Sequence, residues 1–272
     1  MSHLPSVLAR RPILTALLTA FHSSGSADFA LTYTTAPTWP LAGARTNGAP
    51  RIAILDSSFN PPTLAHRALL LHTLRRTDPP TDFDAALLLF STTNADKQPS
   101  GTGPVERVMM MELAARTMAS EISPRALAVG VTKHARFVDK AEAILRSLAS
   151  SSSVTPELYF IMGLDTILRL FSPKYYPGTT VVQALGPFFA RSKVVCADRA
   201  GVQEEEAVRF WAGEEVKEFD GRVGRVEIPE EARELSSTRA REAVRRGEWE
   251  EVERIVGKEV AQFVKDEGLY AV

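Results

Sequence analysis

The sequence is poor in sulfur, with one cysteine, Cys196, among 272 residues. A lone thiol excludes an internal disulfide framework and a zinc site built on cysteine pairs, and it suits a reducing compartment. Neither sign of charge dominates: Lys and Arg number 32 against 33 acids. The basic excess of a polynucleotide-gripping protein is therefore missing, and local cations are read as small-anion sites. Long apolar runs are missing too; none approaches the ~20 residues that span a bilayer. No Walker-type glycine loop occurs, and Gly101-Thr102-Gly103 lacks the third glycine of a dinucleotide fingerprint. No solenoid-period repeat is present. What remains is the composition of an ordinary enzyme, 44% hydrophobic and 24% charged, long enough for one large α/β domain.

Residues 1–50 stand apart. No acid precedes Asp28, and Arg10 and Arg11 sit among leucines. The favoured reading is an amphipathic helix whose Leu4, Leu8, Leu14, Leu17, Leu18 and Phe21 pack on the domain; the alternative is a mitochondrial presequence. This N-terminal extension, a helix plus a short strand over Phe29–Thr34, is either packed or flexible, and the main domain covers 51–272. From residue 51 apolar runs alternate with helical spacing. Strands are expected at 51–55, 85–90, 126–131, 158–162 and 193–197, and helices at 63–76, 104–120, 138–149 and 164–171. Two more helices are expected over 237–247 and 248–267. The acidic stretch 204–218 reads as a solvated helix face. Such alternation predicts an α/β fold, a Rossmann-like doubly wound parallel sheet with C-terminal helices. Ligands bind such sheets beyond the C-terminal strand ends, which selects the loops beginning at Asp56, Ser91, Thr132, Gly163 and Asp198.

Two of these features carry phosphate chemistry. The segment 56–66, from Asp56-Ser57-Ser58 to Leu64-Ala65-His66, follows the first of these strands and opens its helix, where N–H groups and partial positive charge favour an anion. His66 lies in the first turn and leans back toward the loop. Alone, such a histidine reads as a cap or packing residue; its neighbours favour a role toward an anion. Near the other end, Leu235-Ser236-Ser237-Thr238-Arg239-Ala240-Arg241 begins another helix. Hydroxyls there are ordinary N-caps, but Arg239 and Arg241 oppose the helix dipole at about 0.3–1 kcal/mol each. A bound anion would turn that conflict into attraction.

Ser58-Phe59-Asn60-Pro61-Pro62-Thr63-Leu64-Ala65-His66 resembles the S-F-N-P-x-T-x-x-H signature of nicotinamide mononucleotide adenylyltransferases. These belong to the nucleotidyltransferase superfamily with its (H/T)-x-G-H motif, and the likeness is to a divergent member of fungal type. Leu235 to Arg241 resembles that superfamily's I-S-S-T-x-x-R motif. Met162-Gly163-Leu164-Asp165 resembles its G-x-D element, and the resemblance as a whole covers 51–270. Ser57 stands where the family usually has Gly, and its side chain would crowd a close backbone approach to phosphate; Ala65 is a milder departure.

The resemblance implies catalytic roles for His66, Lys97 and Arg241. It implies nucleotide contacts for Ser57, Ser58, Phe59, Asn60, Thr63, His66, Gly163, Asp165, Ser236, Ser237, Thr238 and Arg241. For the acceptor it points to Phe137, where the family often has Trp, and to Arg199. The implied reaction is attack by the phosphate of nicotinamide mononucleotide on the α-phosphorus of ATP, giving NAD and pyrophosphate, with Mg²⁺ accompanying ATP and no metal held by the protein. The implied partners are ATP and nicotinamide mononucleotide, without nucleic acid or membrane; a homo-oligomer stays open. The expected location is cytoplasmic or nuclear, with a mitochondrial one tied to the presequence reading. Two alternatives stay open: another acceptor, such as phosphopantetheine or a phosphorylated alcohol, and a binding protein without turnover.

Overall fold

The computed structural model describes residues 2–40, 49–75, 82–93, 102–149, 154–197, 204–227 and 229–271. The apolar runs become the strands β1 (Phe29–Thr34), β2 (Arg51–Asp56), β3 (Ala85–Ser91), β4 (Ala126–Thr132), β5 (Glu157–Gly163), β6 (Ser192–Ala197) and β7 (Val223–Val226). They form one sheet in the order β1-β4-β3-β2-β5-β6-β7. All neighbours pair in parallel except β1, which runs antiparallel along β4. β3 and β4 are buried nearly throughout, which is why they read as continuous apolar runs rather than as alternating ones.

The helices are α1 (Leu4–Leu8), α2 (Arg11–Ser23), α3 (Leu64–Leu74), α4 (Pro104–Ile122), α5 (Phe137–Ala149), α6 (Leu164–Leu170) and α7 (Val181–Arg191). Then come α8 (Glu204–Ala212), α9 (Glu214–Lys217), α10 (Glu230–Arg233), α11 (Ser237–Arg246), α12 (Trp249–Val256) and α13 (Lys258–Asp266). They cover both faces. On β2, Ala53 and Leu55 point into a core shared with α2, α3, α4 and α11 to α13. Ile52 and Ile54 point into the other, shared with α5, α6 and α7. The chain lays β2, β3 and β4 in one direction, then returns to place β5 on the other side of β2. That reversal opens a crevice beyond the C-terminal ends of β2 and β5.

The N-terminal segment through residue 40 is packed on this frame. Leu14, Leu18 and Phe21 are buried, and Leu4, Leu8 and Leu17 pack partly buried against the same core. Each fully buried side chain of this kind contributes about 1.5–3 kcal/mol. Glu112 of α4 is fully buried beneath the segment and meets Arg10 Nη1 at 2.5 Å and Arg116 Nη2 at 2.7 Å. Among the described residues no helix is long and apolar enough to cross a membrane.

Several boundaries differ from the sequence reading. The single N-terminal helix is two, joined through Ala9 and Arg10. The expected helix over 248–267 is also two, because Gly257 adopts φ +82°, a backbone that only glycine takes at little cost. α7 was not anticipated: Pro187 lies inside it and reads as a breaker. Short β7 was also missed.

Candidate active site

Asp56, the last residue of β2, pairs with Lys140 Nζ of α5 at 2.6 Å, their side chains 10% and 5% exposed. This buried pair fixes the strand end from which the loop departs. Ser57 N–H then donates to Leu89 O of β3 at 3.2 Å. Phe59 takes φ +44°, a left-handed backbone that costs a bulky residue about 1–3 kcal/mol. Its ring is fully buried and lies 5.0 Å from the His66 ring, so the core holds the strained turn. Phe59 therefore supports the loop from beneath, with its ring packed in the core against His66.

His66 is the third residue of α3, with Thr63 as N-cap. Thr63 N–H donates to His66 Nδ1 at 3.0 Å, and Thr63 Oγ1 lies 2.8 Å from the same nitrogen. A backbone N–H can only donate, so Nδ1 accepts and the ring proton sits on Nε2. Nε2 lies 2.9 Å from Ser57 Oγ and donates to it. Capping and facing the loop are thus one geometry: reaching back to Thr63 is what turns the Nε2 donor toward 57–58. Ser57, anticipated as a steric departure, uses its hydroxyl to engage His66.

The second segment meets the first directly. Ser237 Oγ donates to Pro61 O at 2.7 Å, and Arg241 Nη1 donates to Asn60 O at 2.7 Å. Arg241 Nη2 also donates to Thr238 Oγ1 at 3.1 Å. Ser236 is the N-cap of α11, its side chain accepting from Arg239 N–H at 3.2 Å. Arg239 corrects the expectation drawn from the helix dipole, because its Nε donates to Glu251 Oε1 at 2.9 Å. The protein itself neutralises that cation, and of the two arginines only Arg241 turns to the loop.

A third segment joins them. Tyr270 O–H donates to Asn60 Oδ1 at 2.7 Å, and burial pushes the phenol up to about 12. Arg107, in the opening of α4, donates from Nε to Thr102 O at 2.9 Å and lies 5.5 Å over the Phe90 ring. Burial, together with the Arg241 charge, holds its guanidinium below the usual value. A cavity of about 320 Å³ lies behind His66, between α3, α4 and the α12–α13 junction.

Across the crevice, Gly163 ends β5 and is the N-cap of α6. Asp165 is the second residue of that helix and exposed. Ser58 is exposed as well. Phe137 packs edge-on against Phe160 at 5.6 Å, with Lys140 Nζ 4.8 Å from its ring centre. Lys97, Arg199 and Asp198 lie outside the described residues. Among the described residues no group of three or more His, Cys, Asp or Glu could hold a metal ion.

Sequence reasoning missed Lys140, Arg107 and Tyr270. Lys140 left a trace: it falls on the α5 stripe formed by Ala141, Ile144, Leu145 and Leu148, where a charge must find a buried partner. Arg107 and Tyr270 fall within the stretch that carries the resemblance, 51–270, but nothing local marked either as a site residue.

No family model matches the chain. It is 31% identical over 233 residues to the Schizosaccharomyces pombe protein named "Putative nicotinamide mononucleotide adenylyltransferase", covering 79% of this chain and 84% of that one. It is also similar in structure to Plasmodium falciparum nicotinic acid mononucleotide adenylyltransferase complexed with NaAD, with TM-score 0.57 and 16% identity over 81% of this chain and 97% of that one. The same enzyme complexed with APC gives TM-score 0.57, 15% identity and the same coverage. At these identities the structural likeness concerns the fold.

Proposed function

The chain belongs to the nicotinamide mononucleotide adenylyltransferase family, and from that premise we propose that it transfers AMP from ATP to nicotinamide mononucleotide. A phosphate oxygen of the mononucleotide attacks the α-phosphorus in line, the bond from that phosphorus to the bridging oxygen breaks, and pyrophosphate leaves with the electron pair. The attacking phosphate is already ionised at neutral pH, so no general base is needed, and positioning with charge neutralisation carries the reaction.

One observation carries the reading. Ser237 and Arg241 are hydrogen-bonded onto Pro61 and Asn60, in the loop that also holds His66, so hydroxyls, a guanidinium and an imidazole donor converge at two helix N-termini. In this assignment His66 Nε2–H stabilises charge on the α-phosphate with Lys97. The α11 start, with Ser236, Ser237, Thr238 and Arg241, holds the β- and γ-phosphates. Ser57, Ser58, Asn60 and Thr63 line the loop, while Gly163 and Asp165 meet the ribose. Phe137 and Arg199 serve the acceptor. Mg²⁺ enters as part of the ATP substrate, where it offsets phosphate charge.

The test is incubation with ATP, Mg²⁺ and nicotinamide mononucleotide, coupled to a dehydrogenase that reports NAD, with nicotinic acid mononucleotide in parallel for pyrophosphate release. NAD formation is the expected result. ATP binding by calorimetry with no pyrophosphate from any acceptor would instead make the chain a binding protein.

A further inference from the structure

The N-terminal segment lies outside the stretch that carries the resemblance, yet its contacts lead to the phosphate loop. Arg11, the first residue of α2, donates from Nη1 to Glu106 Oε1 at 2.9 Å. Its Nη2 lies 2.6 Å from Glu267 Oε2. Glu106 is in the first turn of α4, beside Arg107. Glu267 is the C-cap of α13, three residues before Tyr270. One guanidinium therefore ties the start of α4 to the C-terminal tail. The three side chains are only 24–32% exposed, so solvent screens them less than it would a surface pair.

The tail passes the constraint on. Tyr270 O–H donates to Asn60 Oδ1, which orients that amide with its oxygen toward Tyr270 and its NH₂ away from it. Arg241 is bonded to Asn60 O. Two consequences follow if Arg11 is removed. Glu106 and Glu267, gathered on one cation, become an uncompensated pair of like charges that repel each other and a nearby polyanion. The tail also loses the tether that keeps Tyr270 on Asn60.

We propose that Arg11 is a positioning residue for adenylyl transfer, holding the tail so that Tyr270 orients Asn60 and neutralising Glu106 and Glu267 beside the triphosphate site. This inference rests on the function proposed above. It gives the N-terminal helices a task at the ATP site rather than one confined to stability.

The full-length chain with Arg11→Met is measured for KM of ATP, KM of the acceptor, kcat and Tm, alongside calorimetric ATP binding without acceptor. KM and Kd for ATP should rise about tenfold, as loss of a partly shielded charge contact predicts. The acceptor KM and kcat should stay within about twofold. Adding Glu106→Gln and Glu267→Gln should recover most of the loss, since the uncompensated charges are gone. Tyr270→Phe should raise KM for ATP alone, and combined with Arg11→Met it should add less than its full effect, because the two share the tether to Asn60.

An ATP Kd within twofold of the parent in Arg11→Met overturns the proposal. So does a loss confined to kcat that tracks a fall in Tm, the mark of a merely structural role. Should Arg11→Met fail to fold, Tyr270→Phe decides: an ATP Kd within twofold of the parent there rejects it. If the parent binds ATP without turnover, the functional reading fails, while the comparison of ATP affinities still judges Arg11.

Discussion

The two segments that meet over the crevice are held in opposite ways. The loop after β2 is fixed from inside: Asp56 and Lys140 form a buried pair, Phe59 anchors a left-handed turn in the core, and His66 is 8% exposed. The start of α11 is fixed from outside. Ser236 caps it, Arg239 pairs with Glu251 in a half-buried ion pair on the far side from the loop, and its link to the site runs through Ser237 and Arg241 onto carbonyls of the first loop. The first loop is therefore a preformed frame, and the second takes its place from it. Damage to the frame should cost stability and chemistry together, whereas damage to the second segment should cost mainly affinity for ATP.

The largest effect should come from breaking the frame. Lys140→Met leaves Asp56 buried without its cation, and loss of one partner from such a pair costs about 3–5 kcal/mol. Denaturant unfolding would measure it, and a loss below 1 kcal/mol would mean the frame is not anchored there. Next comes His66→Ala, expected to lower kcat about 10²–10³-fold if its Nε2–H acts in the transition state. A kcat within twofold of the parent would reject that role.

The second segment offers a paired test. Arg241→Ala should reduce kcat/KM for ATP by about 10- to 100-fold, the range for a charge-assisted contact. Arg239→Ala, two residues away in the same helix, should change it less than threefold, because its guanidinium faces Glu251 rather than the loop. Equal effects at the two positions would contradict the difference in their surroundings.

The smallest effect concerns the tail at high pH. The Tyr270 phenol is raised by burial from 10.0 to about 12, so the folded chain binds more protons than the unfolded one in that range. Its contribution to stability is full below pH 10 and is lost as pH rises through about 12. The slope is at most about 1.4 kcal/mol per pH unit. Tyr270→Phe should flatten this loss without abolishing it, because Tyr176 is likewise raised to about 12. An unchanged slope would place Tyr270 in a more solvated setting.

Much of this was legible in the chain. Strands buried on both faces announce themselves as unbroken apolar runs, which is why β2 to β6 were located to within a residue or two. The loop chemistry was legible because its residues lie consecutively, from Ser58 to His66 and from Leu235 to Arg241. Family membership, expected from those two stretches, is supported by a relative that spans most of the chain. What sequence could not supply was direction. Arg239 and Arg241 look alike on paper, and only packing shows that one turns to Glu251 and the other to Asn60. Tyr270 lies 210 positions from its partner, and no local period can reveal such a pairing. Glu112 could have been suspected, since it shares the buried face of α4 with Val108, Met109 and Ala115.

The most direct measurement is a crystal structure with a non-hydrolysable ATP analogue. The α-phosphate should lie within hydrogen-bond distance of His66 Nε2, with Ser57 Oγ giving up that donor. The β- and γ-phosphates should lie against the first turn of α11 and Arg241. A triphosphate bound away from either segment, or one that touches the loop after β2 while α11 stays uninvolved, would contradict the account.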